Sequence, residues 1–333
     1  MLLAGDTFHR FRIEGKLGEG GMGLVYQAYD PMLRRQVALK VVRPEVAQTA
    51  AATRLMREGR AAASLNHPNA IGIFDVGSFK GVPYIVMELV SGHQLSAFIG
   101  DERVGIRQRL SWLAQIARGL DAAHRQGLVH RDVKPENVMV CNSGEIKLFD
   151  FGVVKRMTPF ASLSNATDPM GEKTRTGIVM GTPLYMAPEQ ALGDAVDGRS
   201  DQFAWATLAY ELLSGGIHPT TTNNPRRLPV AFVILREQPR PLSEVAPRLP
   251  DGVAAIVMKA LAKAPSSRFA TMSEIYEALD AIILRMDQSS GRLTPTTPTR
   301  LARRRGRFLH VGLAAAALGL VAVVLFLSHV FDP

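Results

Sequence analysis

Cysteine is almost absent. Cys141 is the only one in 333 residues, so the chain forms no internal disulfide and builds no cysteine-based zinc site. A reducing compartment is the natural setting for the main domain. No Cys/His metal-ligand cluster is present, and no period of 20–50 residues recurs, which leaves a solenoid without support. The opening Met1-Leu2-Leu3-Ala4-Gly5-Asp6 turns polar too soon for the core of a signal peptide, so the N-terminal part is expected to stay where it is synthesised. What is abundant is apolar side chain. At 47% it suffices for a packed core and excludes disorder of the whole chain.

The net charge of +9 would suit nucleic acid, but residues 286–333 hold six arginines against Asp287 and Asp332, leaving only +5 on residues 1–285. The basic excess is terminal, and no nucleic-acid partner is expected. Asp, Glu, Lys and Arg are missing altogether from the 24 residues 308–331, where His310 and His329 lie near the ends. As a helix this segment spans about 36 Å, enough for a hydrocarbon core of about 30 Å. Arg300, Arg303, Arg304, Arg305 and Arg307 precede it, and the positive-inside rule places such a cluster on the cytoplasmic side. The expectation is one transmembrane helix contacting membrane lipid, with no extracytoplasmic domain after it. Gly312 with Ala316, and Ala315 with Gly319, permit close helix approach and hence a homodimer. Residues 286–299 are polar, small and Pro-containing, as a flexible linker is.

Residues 8–90 read as short β segments interrupted by one helix over 53–65, whereas 104–126, 188–215 and 252–284 carry helical apolar spacing. A small β-rich lobe joined to a larger helical lobe is expected. Within the first lobe, Gly18-Glu19-Gly20-Gly21-Met22-Gly23-Leu24-Val25 fits a glycine-rich phosphate loop, a motif shared with dinucleotide-binding units. There the glycines open into a helix. Here Leu24–Tyr29 is β-like, Asp30-Pro31 makes a turn and Gln36–Val42 is a second strand, so the loop is a hairpin folded over phosphates. Small residues let the backbone N–H groups approach phosphate oxygens. Lys40 follows within the apolar strand Val37–Val42, where burial demands an anionic partner. Phosphate is one candidate and a carboxylate the other. Glu58 is the carboxylate chosen, because Glu45 is too near Lys40 and follows Pro44 in an expected loop.

Two further motifs are far more specific: Leu128-Val129-His130-Arg131-Asp132-Val133-Lys134-Pro135-Glu136-Asn137 and Lys147-Leu148-Phe149-Asp150-Phe151-Gly152. With the glycine loop and Lys40 they resemble the protein-kinase family over residues 8–282. Lys134-Pro135-Glu136 looks like the serine/threonine branch, and GEGGMG with GTPLYMAPEQ looks most like bacterial membrane-bound serine/threonine kinases. The resemblance implies an α+β bilobal kinase fold, the β-rich lobe over about 8–90 and the helical lobe over about 91–282. It also implies ATP and Mg²⁺, with Mn²⁺ able to substitute, and protein substrates. Asp132 would accept the substrate hydroxyl proton, Lys134 would steady the γ-phosphate, and Asp150 and Asn137 would hold the metal ions. Lys40, paired with Glu58, would grip the α- and β-phosphates. ATP would lie among Gly18, Glu19, Gly20, Gly21, Met22, Gly23, Val25, Ala38, Met87, Glu88 and Val90, with Met87 at the back of the adenine pocket and Glu88-Leu89-Val90 as the hinge. Thr182 resembles the residue that hydrogen-bonds Asp132 and Lys134. Glu189 with Arg268 and Asp201 would be structural supports. Thr174 and Thr176, in the activation segment between Asp150 and Glu189, would accept a regulatory phosphate held by Arg131.

None of the departures removes a reacting group. Gly59 costs about 1 kcal/mol relative to Ala inside a helix, so the helix bearing Glu58 is expected to swing easily. Val154 replaces a commoner alanine, and His218-Pro219-Thr220 lacks an aromatic. A kinase-like scaffold that binds nucleotide without turnover is the competing class, and the presence of Lys40, Asp132 and Asp150 weighs against it.

Overall fold

β-branched and aromatic residues recur along the strands of the first lobe, as in Val82-Pro83-Tyr84-Ile85-Val86, and they suit a pleated, half-buried surface. The computed structural model describes residues 2–20, 23–47, 49–151, 183–221 and 230–291. Six antiparallel strands form the first sheet in the order β1-β2-β3-β4-β6-β5: β1 Thr7–Phe8, β2 Phe11–Gly20, β3 Gly23–Asp30, β4 Arg35–Val42, β5 Ile73–Phe79 and β6 Val82–Met87. Phe11, Ile13, Tyr26, Leu39 and Val86 bury one face of it. The hairpin expected around the glycine loop is β2–β3, with Gly18 opposite Val25 and Gly20 opposite Gly23.

Helix α1 (Pro44–Ala47) contains Glu45, where a loop was expected. Proline tolerates the first turn of a helix, since its missing N–H has no helical partner there. Helix α2 (Ala50–Ala62) carries Gly59, which is buried. A Cβ at that position would meet Ile85 Cδ1 at 3.1 Å. Gly59 therefore lets the helix approach the sheet closely.

The second lobe is built on helix α3 (Ile106–His124) and helix α5 (Gly198–Ser214), with helix α8 (Val253–Ala260) and helix α9 (Met272–Gly291) packed around them. Nearly every residue of α5 from Ser200 to Leu213 is buried, as befits a helix surrounded by others. Asp197 caps its N-terminus by accepting from the Arg199 N–H, and Gly215 closes its C-terminus with a φ of 78°. Shorter helices α4 (Pro188–Leu192), α6 (Val230–Arg236) and α7 (Leu242–Val245) fill the outer layer. A three-stranded sheet, β7 (Gly92–Gln94), β8 (Val138–Cys141) and β9 (Ile146–Leu148), lies on α3 and carries the candidate site.

Helix α9 runs to Gly291, into the stretch read as linker from Met286. Met286 packs against the core, and Arg107 holds Asp287 through Nε–Oδ1 at 2.6 Å and Nη2–Oδ2 at 2.7 Å. Residues 1–290 form one unit and a second begins at Gly291. Among the described residues no helix is long and apolar enough to cross a membrane. The apolar stretch 308–331 and the arginines at 300–307 lie outside the described residues, as do Gly21, Met22, Gly152, Val154, Thr174, Thr176 and Thr182.

One buried ion pair ties α4 to the segment before α9. Arg268, with no exposed side-chain surface, donates Nη1 to Glu189 Oε1 at 2.7 Å and Nη2 to Oε2 at 2.9 Å. Its remaining N–H groups go to the carbonyls of Ala262, Arg199 and Lys263, so all five donors are used. Burial pushes the Glu189 carboxyl up, but hydrogen bonds from Arg268 and Ser200 outweigh it and hold the carboxyl below its ordinary 4.5. A lowered folded value stabilises above the unfolded one and is lost below it. Denaturant unfolding of Arg268→Ala at neutral pH is therefore expected to show a loss of about 3–5 kcal/mol. The wild-type margin over the variant should shrink as pH falls below 4.5; a margin independent of pH would contradict this assignment.

Candidate active site

The loop between α3 and β8 owes its shape to a carboxylate behind it. Asp201, 0% exposed, accepts the His130 N–H at Oδ2 (2.7 Å) and the Arg131 N–H at Oδ1 (2.8 Å). His124 Nε2 shares Oδ2 at 2.7 Å. These contacts hold Arg131 at a φ of 64°, a conformation uncommon for a residue of its size. The carbonyl of Arg131 accepts from Gln190 Nε2 at 3.2 Å, and Gln190 Oε1 in turn accepts the Ala187 N–H. His124 carried no motif signal, Gln190 closes the GTPLYMAPEQ segment but was given no role, and both are pinned here by contacts with residues 59 to 77 positions away.

Asp132 follows directly. Its Oδ2 accepts from Lys134 Nζ at 2.8 Å and from Asn137 Nδ2 at 3.1 Å, and its carbonyl accepts from the same Nδ2 at 2.7 Å. Asn137 is 6% exposed, and with Nδ2 committed twice its Oδ1 is the amide atom left for a cation. The Asn137 carbonyl accepts the Phe149 N–H, which sets β9 beside this loop and delivers Asp150. Asp150 has a φ of 61°, and aspartate tolerates that region better than most residues. His130 Nε2 meets the Phe149 carbonyl at 3.1 Å, and its ring lies 4.7 Å from that of Phe151.

Lys40 reaches this centre from β4. Its Nζ lies 2.6 Å from Asp150 Oδ1, with the lysine side chain 12% exposed. The anionic partner demanded by its burial is thus supplied by Asp150; Glu58 lies in α2, with its side chain outside the described residues. Ala38, on the same strand, is buried and registers opposite Met87, while Lys40 registers opposite Val25 and Ile85. Glu88 donates its N–H to the Gly72 carbonyl, and its Oε2 accepts from the Gly72 N–H and from Lys147 Nζ, so its side chain is turned to the protein. Leu89 and Val90 continue the chain, partly buried.

The glycine loop divides by cause. A Cβ on Gly23 would lie 2.2 Å from the Val41 carbonyl oxygen, so the sheet itself requires that glycine. At Gly18 and Gly20 an added Cβ meets nothing within 4 Å. Packing therefore does not require glycine at those two positions. Glu19 pairs with Lys16 at 2.6 Å and with Arg43, and Lys16 and then Arg43 hold its carboxyl below the ordinary range.

A single carboxylate, Asp150, and the Asn137 amide oxygen do not make a closed metal cage, and among the described residues no group of three or more His, Cys, Asp or Glu does. This donor set fits Mg²⁺, which keeps waters and takes phosphate oxygens beside one or two protein ligands.

Residues 11–279 match the family model for the protein kinase domain. The chain is 37% identical over 280 residues to a probable serine/threonine-protein kinase, SCO3848, of Streptomyces coelicolor, covering 82% of this chain and 40% of that protein. To the serine/threonine-protein kinase PknB of Mycobacterium leprae it is 36% identical over 272 residues, covering 80% and 42%. The crystal structure of the Mycobacterium tuberculosis PknI kinase domain superposes with a TM-score of 0.64 at 30% identity, covering 84% of this chain and 99% of that one. The chain thus spans about two fifths of the length of these curated relatives.

Because Asp201 anchors the loop through two backbone amides, Asp201→Ala is expected to accelerate hydrogen exchange at His130 and Arg131 by about tenfold to a hundredfold, the strength of hydrogen bonds to a charged acceptor. The Leu39 amide, in β4, serves as reference. Unchanged protection at both positions would remove Asp201 from that role.

Proposed function

Since the chain belongs to the protein kinase domain family, we propose that it is a serine/threonine protein kinase, transferring the γ-phosphate of ATP to protein hydroxyls from a centre made by Asp132, Lys134, Asn137, Asp150 and Lys40. The observation that carries this reading is the interlocked set Asp132–Lys134–Asn137 beside the Lys40–Asp150 pair. Asp132 takes the proton of the acceptor hydroxyl. Lys134, 2.8 Å from it, hydrogen-bonds the carboxylate and presents a cation where charge builds on the transferred group. Lys40 and Asp150 stand close enough to engage one triphosphate between them. Bound Mg²⁺, or Mn²⁺ in its place, would supply Lewis-acid stabilisation of the phosphoryl oxygens, with Asp150 and Asn137 as its protein ligands.

The adenine edge is read by backbone groups of Glu88 and Val90, below Ala38 and beside Met87. Gly18 and Gly20 are supported as phosphate-loop positions by the open space above them. The finer parts of the reading rest on sequence. Thr182 joins Lys134 in selecting the serine/threonine class, a phosphate on Thr174 or Thr176 pairs with Arg131, and Glu58 competes with Asp150 for Lys40. The segment 308–331 holds the enzyme at a membrane with 300–307 on the cytoplasmic side, and its small residues offer a dimer contact.

One assay covers the core and the switch. The full chain, incubated with labelled ATP, Mg²⁺ and a general protein substrate, is expected to label serine and threonine, while Asp132→Ala abolishes labelling and Thr174→Ala/Thr176→Ala reduces it severalfold. Equal labelling by Asp132→Ala would sink the kinase reading in favour of a silent scaffold. Full activity of the double threonine variant would sink the switch alone.

A further inference from the structure

Glu88, whose backbone stands at the proposed adenine edge, is tied to β9 by a closed ring of hydrogen bonds. The Leu148 N–H donates to the Asn69 carbonyl at 2.9 Å, and the Leu148 carbonyl accepts the Ile71 N–H at 2.8 Å. Gly72, the next residue, accepts the Glu88 N–H at 2.8 Å and donates its own N–H to Glu88 Oε2 at 3.2 Å. The segment 69–72 is thus joined to β9 on one side and to Glu88 on the other. One side chain closes the ring. Lys147, adjoining Leu148, places Nζ 2.9 Å from the same Glu88 Oε2.

Ile146 and Leu148 are both 0% exposed, so the alternation of a strand turns Lys147 to the opposite face of β9, away from the core that they enter. The side chains of Lys147 and Glu88 are 17% and 31% exposed, so neither lies fully in solvent, where an ion pair contributes little. Oε2 accepts one N–H from backbone and one from a cation, and a hydrogen bond between ionised partners is the stronger kind. A carboxylate gripped from two directions restrains the backbone that carries it. Asp150 stands two residues beyond Leu148, so the ring spans from the adenine end of the site to its metal end. We propose that Lys147 is a positioning residue for the nucleotide: through Glu88 Oε2 it fixes the backbone that meets adenine at a set distance from β9, and hence from Asp150. It touches no reacting atom. The inference rests on the kinase reading in one respect, that Glu88 and Val90 form the adenine edge.

Removing an ion pair that only stabilises the fold leaves the affinity of the folded protein for nucleotide unchanged, whereas removing a positioning pair weakens the adenine half of binding. The full chain and Lys147→Met are titrated calorimetrically at pH 7 with adenosine, which carries no phosphate, and both are assayed with ATP, Mg²⁺ and a general protein substrate. Lys147→Met is expected to bind adenosine about tenfold more weakly and to raise KM for ATP by a similar factor, the scale of one charge-assisted hydrogen bond. Its kcat should change far less than KM, because Asp132, Lys134 and Asn137 keep their own contacts. Lys147→Arg, which keeps a cationic donor, should behave as the wild type. Should Lys147→Met fail to fold, Glu88→Gln decides: it retains an acceptor for the Gly72 N–H, loses the charge, and is expected to weaken adenosine in the same way. Unchanged adenosine affinity in these variants, or a fall in kcat with KM for ATP unaltered, would overturn the proposal. No adenosine binding by the wild type would remove the adenine edge and this inference with it. Adenosine binding that depends on Lys147 in a wild type without turnover would sink the kinase reading and leave the positioning role standing.

Discussion

The Asp201 carboxylate, sealed from solvent, holds two successive backbone amides and one imidazole, and the geometry of the catalytic loop depends on it. A charge so placed is tolerable only when its oxygens are satisfied, and here each accepts from the protein. Because the amides of His130 and Arg131 are fixed, Asp132 enters the site with its direction set before any side-chain contact is made. Lys134 and Asn137 then close on the same carboxylate, and the Asn137 carbonyl places β9 and Asp150. Helix α5 supports the arrangement because Asp201 sits in its first turn, just past the Asp197 cap. Even Gly198 belongs to this construction, since a Cβ there would strike His124 Nδ1 at 2.7 Å.

The second constraint joins the lobes. Lys40 on β4 and Asp150 after β9 are 110 residues apart in sequence and 2.6 Å apart in space. A lysine that is 12% exposed in an apolar strand fixes where the first lobe must present its charge, and the aspartate fixes where the second must meet it. Arg131 and Asp150 both hold positive φ beside this centre, and Arg131 is fixed there by hydrogen bonds at its N–H and its carbonyl. A site maintained in this way is preorganised, which is what phosphoryl transfer requires of a protein that contributes positioning and electrostatics.

Much of this centre was legible in the sequence because local motifs carry it. Asp132, Lys134 and Asn137 lie within six residues of each other, so spacing alone places them on one loop. The pairing of Glu189 with Arg268 and of Asp201 with the loop bearing Asp132 came from family resemblance; in the structure Arg268 meets Glu189, and Asp201 accepts the His130 N–H. What was not legible depends on long-range packing. Gly59 looked like a weak point in a helix until Ile85 appeared 3.1 Å from where its Cβ would be. The helical turn at Pro44 was read as a loop because of the proline, and the extension of α9 over Met286–Gly291 was read as linker because composition there is polar, while its deciding contacts, such as Arg107 with Asp287, come from elsewhere in the chain. His124 stands outside any motif, Gln190 and Gln202 sit beside motif residues without a role of their own, and only the fold gives them partners.

The claim that most needs confronting is that Asp150 and Asn137 are the protein's metal ligands, with Lys40 and Asp132 flanking them. Anomalous diffraction from crystals grown with Mn²⁺ and a non-hydrolysable ATP analogue measures this directly. A manganese peak within about 2.5 Å of an Asp150 carboxylate oxygen and of Asn137 Oδ1 is the expected result. A peak elsewhere, or nucleotide bound with neither residue touching metal, would contradict the account.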